Sequence, residues 1–177
     1  VADETTANST SLSGFAIAVG ADDCPYVSYH VSFQPMPGVF AGEQRLLRCD
    51  DTACASATAQ TLANEPGFFK VPLAVRSDGR PVLIEQRNSG RTLLTCNDAD
   101  CSAPVRVALP NAFDQMQRLT LFDGALPLFG SGTSGSGGYW QCDDADCAAP
   151  IRITTILDGS GPQRSYSPDM ALRSNGD

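Results

Sequence analysis

The chain has 177 residues, with 12 Lys and Arg against 20 Asp and Glu, one His and seven Cys, a length that suits a single domain with its own core. Charged residues make up only 18% and aromatics 7%, while 16 Gly and 12 Pro are present, so the composition excludes a helical bundle. A net charge of -8 argues against nucleic-acid binding, which needs clustered Lys and Arg, and 42% hydrophobic residues argue against disorder. No apolar run reaches the length of a transmembrane helix. The chain begins at Val1 rather than Met, which reads as a processed, excised or incompletely sequenced chain.

In chain order, Asn8-Ser9-Thr10 fits an N-glycosylation triplet. The first unit opens at residues 15–27, FAIAVGADDCPYV. An alternating apolar segment runs into an Asp-rich turn, then a proline, then a second apolar segment. Period-2 alternation marks a half-buried strand. Pro25 heads the second strand, where a missing N–H costs least, and Asp23 stands where a glycine would supply positive φ. His30 follows Tyr26 and Tyr29 in that strand and reads as structural. The stretch Gln34–Gly42 is long and rich in Pro and Gly, so it is expected to be a loop. Cys49-Asp-Asp-Thr-Ala-Cys54 comes next, followed by a strand over Ala57–Leu62.

The second unit repeats this plan. VPLAVRSDGRPVLI over residues 71–84 carries Gly79 in the turn and Pro81 after it. Its four strands are expected at Val71–Arg76, Pro81–Gln86, Arg91–Cys96 and Val105–Leu109, with Cys96-Asn-Asp-Ala-Asp-Cys101 between the last two. The third unit has RLTLFDGALPL at 118–128, with Gly124 and Pro127, then Cys142-Asp-Asp-Ala-Asp-Cys147 and a strand within Pro150–Ile156. Between its second and third strands lies Gly130–Gly138, GSGTSGSGG, expected to be a flexible loop. It is no phosphate loop, because it lacks the Lys and the strand-to-helix setting. Ser167–Asp177, SPDMALRSNGD, matches PLAVRSDGR and stops at a turn. It reads as the start of a fourth copy.

A four-stranded meander repeated every 46 or 47 residues, the spacing of Cys49, Cys96 and Cys142, is the unit of a β-propeller blade. The expected fold is therefore all-β: a β-propeller-type array of four-stranded antiparallel blades, three full blades plus the start of a fourth. It forms one domain over residues 1–177, with blades at about 14–63, 67–109 and 116–156 and a partial unit over 165–177. The Asp-Gly turn and proline of Asp78-Gly79-Arg80-Pro81, followed by an apolar strand and an acidic C-x(4)-C, resemble the repeat of secreted bacterial β-propeller proteins, loosely sialidase- and NHL-like. That resemblance implies a propeller fold and a binding or scaffolding role.

Three equivalent cysteine pairs at hairpin ends read as three disulfides, Cys49–Cys54, Cys96–Cys101 and Cys142–Cys147. Such bridges place the chain outside the cytoplasm, in the periplasm, in secretion or at the cell surface. A zinc site would want four ligands, and separate blades hold the pairs apart. Cys24 is left over, either as an idle or buried thiol or as a link to a partner or to sequence beyond this chain. The loop acids Asp98, Asp100, Asp144 and Asp146 are the candidate calcium ligands, calcium being the one cofactor weighed, since D-x-D clusters supply the oxygens this ion takes. Solvated acidic tips are the plainer reading.

One His rules out a blue-copper set through Cys24, His30 and Met36. No G-x-S-x-G elbow accompanies His30, and Glu43, Glu65 and Glu85 form no recognisable glycosidase pair. No catalytic residue is assigned and no enzyme activity is expected. The functional expectation is an extracytoplasmic binding or scaffold module, a subunit of a larger protein assembly or a piece of a longer surface protein. It would associate with a protein partner or with itself. The alternative is a lectin-like or glycosidase-derived propeller module with a glycan ligand.

Overall fold

The computed structural model describes residues 11–64, 71–87, 90–109, 116–122, 126–133, 136–148 and 152–158. Among them are twelve β-strands and no helix. β1 (Ser11–Val19), β2 (Pro25–Met36), β3 (Val39–Cys49) and β4 (Ala57–Asn64) form one antiparallel sheet. β5 (Leu73–Val75), β6 (Pro81–Arg87), β7 (Gly90–Thr95) and β8 (Val105–Leu109) form the second. β9 (Met116–Phe122), β10 (Leu126–Thr133), β11 (Ser136–Gln141) and β12 (Arg152–Asp158) form the third. Each is a simple meander, as the repeat requires. The expected fourth unit over 165–177 lies outside the described residues.

The three sheets share one register. Val19, Val75 and Leu121 pair with Pro25, Pro81 and Pro127. One step on, Ala18, Ala74 and Thr120 pair with Tyr26, Val82 and Leu128. Residues are therefore structurally equivalent position by position. The shared turn explains this. Asp23 and Gly79 hold φ of 59° and 82°, in the left-handed region that Gly enters freely and Asp tolerates. In both turns the same bonds form: Gly20 N–H to the Cys24 carbonyl at 3.0 Å and Arg76 N–H to the Arg80 carbonyl at 3.0 Å. Asp22 and Asp78 cap them by accepting the amides of Cys24 at 3.2 Å and Arg80 at 3.1 Å.

Two stretches expected as loops are strand. β2 and β3 run on almost to their turn at Pro37-Gly38, and Gly38 (φ 80°) supplies the reversal. The irregularity between Phe33 and Met36 accommodates Pro35, which has no N–H to donate. In the third sheet Ser131, Gly132 and Thr133 pair with Gly138, Gly137 and Ser136. Gly and Ser carry no apolar alternation, so periodicity could not reveal that hairpin.

The sheets stack face to face in chain order. Tyr26, Leu46 and Leu62 of the first pack on Leu73, Leu83, Leu94 and the Cys96–Cys101 bridge of the second. On the opposite face of the second, Val82, Ile84, Leu93 and Leu109 pack on Cys142, Cys147, Leu119 and Leu121 of the third. The middle sheet is thus buried on both sides, which is why β6 and β7 carry the unbroken apolar runs Val82-Leu83-Ile84 and Leu93-Leu94. A bulge in β1 at Gly14, whose φ is 67°, frees that carbonyl to accept the Val71 amide at 3.3 Å, and the Ser28 hydroxyl donates to the Val71 carbonyl. The entrance to the second sheet is stapled to the first at both backbone groups. At the inner edge, β1 lies against β5 and β5 against β9.

Candidate functional site

The cysteine pairs close as the spacing implies. Cys49–Cys54, Cys96–Cys101 and Cys142–Cys147 are disulfides, with Cα atoms 4.8, 4.7 and 4.9 Å apart. Three such pairs point to an oxidising, extracytoplasmic environment. Among the described residues no helix is long and apolar enough to cross a membrane.

The loops share more than the bridge. The second cysteine of each sits in the left-handed region, at φ 54°, 56° and 58°. Its amide donates to the carbonyl of Asp51, Asp98 or Asp144 at 3.1, 3.2 and 3.2 Å. The carboxylate of that same Asp turns inward. Asp51 accepts the amides of Ala53 and Ala55, and Asp144 those of Asp146 and Ala148. Asp98 accepts both the amide and the hydroxyl of Ser102. These bonds and the bridge over-determine a backbone conformation that costs energy away from Gly. The clue in the sequence is that Asp is the only acid at the same place in all three loops, two residues after the first cysteine.

The remaining loop acid reaches across a sheet junction. Asp100 lies 3.0 Å from Arg48 of the first sheet. Asp146 lies 3.5 Å from the buried Arg76 of the second, and the Arg76 guanidinium also donates to the Ala145 carbonyl. Arg48 sits over the Tyr26 ring at 6.0 Å, and the Tyr26 hydroxyl donates to the Gly79 carbonyl at 3.2 Å. The second and third disulfide loops therefore clamp their sheets onto the ones before them. Loop one differs: Ala53 occupies the place of Asp100 and Asp146. Of the four calcium candidates, Asp98 and Asp144 bond within their loops and Asp100 and Asp146 face arginines. No group of three or more metal-ligating side chains occurs among the described residues.

Three loop and turn carboxyls sit below the usual Asp range. The Ser102 hydroxyl and amide hold Asp98 down, the Arg80 guanidinium holds Asp78 down, and the Cys24 amide holds Asp22 down. A carboxyl whose pKa is lower folded than unfolded contributes stability that is full above the unfolded value of about 3.9 and drains away as pH falls through the folded one. Melting temperature is therefore expected to be level above about pH 5 and to decline below about pH 4, as a pH series of thermal melts will show.

Cys24 is buried and unpaired by disulfide. Burial pushes its thiol up, and the neighbouring Asp22 carboxylate adds to this, so the thiol is a poor nucleophile at neutral pH. His30 is buried in β2, 3.2 Å from the Ser32 hydroxyl through Nδ1 and in register with Ser13 and Gln44. Nearby, Arg106 donates to the Leu62 carbonyl at 2.9 Å and lies 3.6 Å from the buried Glu85, a polar tie between the first two sheets.

Two surfaces remain open. The first strands of all three sheets line a groove of about 360 Å³ walled by Ala18, Val19, Leu73, Val75, Leu119 and Leu121. Beside it, β1 turns Phe15, Ile17 and Val19 to solvent. Ile17 is 70% exposed, whereas Leu73, its equivalent in the second sheet, is 6% exposed. Single exposed apolar residues are ordinary, but an alternating row on one strand marks a contact surface. No protein-family model, curated protein or solved structure matches the chain.

Proposed function

We propose that the chain is a β-propeller-type module of an extracytoplasmic protein, secreted, periplasmic or on the cell surface, and that it works by binding and scaffolding. It serves as a structural subunit of a larger assembly or as a section of a longer surface protein. Three sheets in one register, stacked in chain order with their first strands at a common inner edge, support the propeller-type reading. The observation that carries the function is the solvent-exposed apolar row Phe15, Ile17 and Val19 on β1, where Leu73, the equivalent of Ile17 in the second sheet, is buried. Such a row offers an interface to a partner. No chemistry is assigned to the buried His30, Glu85 or Cys24.

The oxidised full chain should enter a stable complex with itself or with another protein, seen by size-exclusion chromatography with light scattering. It should show no specific spots on a glycan array. An inert monomer that binds glycans would replace this reading with the lectin-like one. Intact mass before and after reduction should differ by three disulfides; free thiols at those six positions in the native protein would contradict extracytoplasmic residence.

A further inference from the structure

We infer that the Cys49–Cys54 disulfide is a thiol-exchange site: a small thiol from solution opens it at Cys54, while the other two bridges stay shut as long as the sheets remain stacked. The three bridges are alike within their own loops. Each joins cysteines five positions apart. Each ends on a cysteine in the left-handed region, whose amide donates to the carbonyl of the Asp two residues after the first cysteine. Loop length and backbone strain therefore do not tell the bridges apart. The difference is in what lies on them. Cys101 and Cys147 are 1% and 2% exposed, and both bridges belong to the packed clusters between sheets. An arginine of the preceding sheet holds the loop over each, Arg48 on Asp100 and Arg76 on Asp146. Neither Cys49 nor Cys54 belongs to such a cluster. Loop one carries Ala53 in place of the clamping aspartate. Thr52, Ala53, Ala55 and Ser56 are exposed, and Cys54 alone of the bridged cysteines is not buried.

Access then selects the sulfur. An incoming thiolate must reach the attacked sulfur on the side away from its partner. Cys49 is buried, so the open end of the bridge is Cys54. The thiolate forms a bond to Cys54 Sγ as the bond between the two cysteine sulfurs breaks. The electron pair of that bond leaves on Cys49 Sγ, which takes up the proton the incoming thiol gave up. The product is a mixed disulfide on Cys54 beside a Cys49 thiol. A second small thiol attacks the external sulfur of the mixed disulfide and releases the Cys54 thiol. In sum, two small thiols are oxidised to one disulfide and the bridge is reduced to two thiols. The chain's own free thiol does not supply the attack, because Cys24 is buried and both its burial and the adjacent Asp22 carboxylate keep it protonated. The exchange needs no protein partner.

The test is timed exposure of the folded, oxidised full chain to dithiothreitol, followed by acid quench, alkylation and peptide mapping of the bridged cysteines. Cys49–Cys54 should open about tenfold or more faster than the other two bridges, which must wait for their sheets to part. In urea strong enough to unfold the chain, the three rates should agree within about threefold, because loops of equal length are then equally accessible. Oxidised glutathione identifies the attacked end. The Cys49→Ser chain should take up glutathione on Cys54, and the Cys54→Ser chain should take it up on Cys49 about tenfold more slowly. Three bridges opening at one rate in the folded chain overturn the inference. So does a preference for Cys49–Cys54 that persists unchanged in urea, and so does uptake no faster on Cys54 than on Cys49.

Discussion

Replacing Cys96 and Cys101 together by alanine is expected to lower stability by about 3–5 kcal/mol, against about 2 kcal/mol for the same change at Cys49 and Cys54. Both bridges close loops of equal length, so the loss of loop-closure entropy in the unfolded chain is the same for each, about 2 kcal/mol. The difference lies in what the sulfurs touch. Cys96 and Cys101 belong to the core between the first and second sheets. Removing them leaves a void there, which adds about 1–3 kcal/mol. Cys49 is buried as well, but neither it nor Cys54 belongs to a cluster between sheets, so the surroundings collapse at less cost. Urea unfolding without reductant will measure both. Equal losses would mean that the bridges act only within their own loops and do not clamp sheet to sheet.

Leu94→Ala is expected to cost about 3–5 kcal/mol and Leu47→Ala only about 1 kcal/mol. The two leucines are equivalent: Leu94 pairs with Leu83 as Leu47 pairs with Val27. The chemistry of the two substitutions is identical, so the contrast isolates the environment. Leu94 is fully buried between sheets, whereas Leu47 is only half-buried. The comparison belongs at protein concentrations low enough to keep the chain monomeric, since a partner beside Leu47 would raise the cost there. Similar losses in the monomer would show that the first sheet is covered on both faces.

Much of the architecture was legible because the repeat displays each signal three times. Proline after the turn marked the head of the second strand, and Pro25 and Pro81 do open β2 and β6. Asp23 was recognisable as a glycine substitute because Gly79 stands at the same place. The cysteine spacing foretold the bridges. What escaped notice follows from the limits of those signals. The glycine-rich arm of β10 and β11 has no apolar alternation to read. Pro35 suggested a loop, but a strand irregularity absorbed it. The junction itself was hidden because Arg48 and Arg76 sit at different places in their repeats, so aligning the copies does not reveal that both meet the same loop acid. Nothing in the sequence sets Ala53 apart; its meaning comes from the arginines that face Asp100 and Asp146 at the equivalent places.

The stacking of the sheets is the claim on which all of this depends, and nuclear Overhauser contacts in the labelled, oxidised chain test it most directly. The Tyr26 ring should show contacts to the Gly79 α-protons, and the Arg76 side chain to Ala145 and Asp146, placing one junction on each face of the middle sheet. Intact strand-to-strand contacts within each sheet, with neither of these cross-sheet sets, would contradict the account.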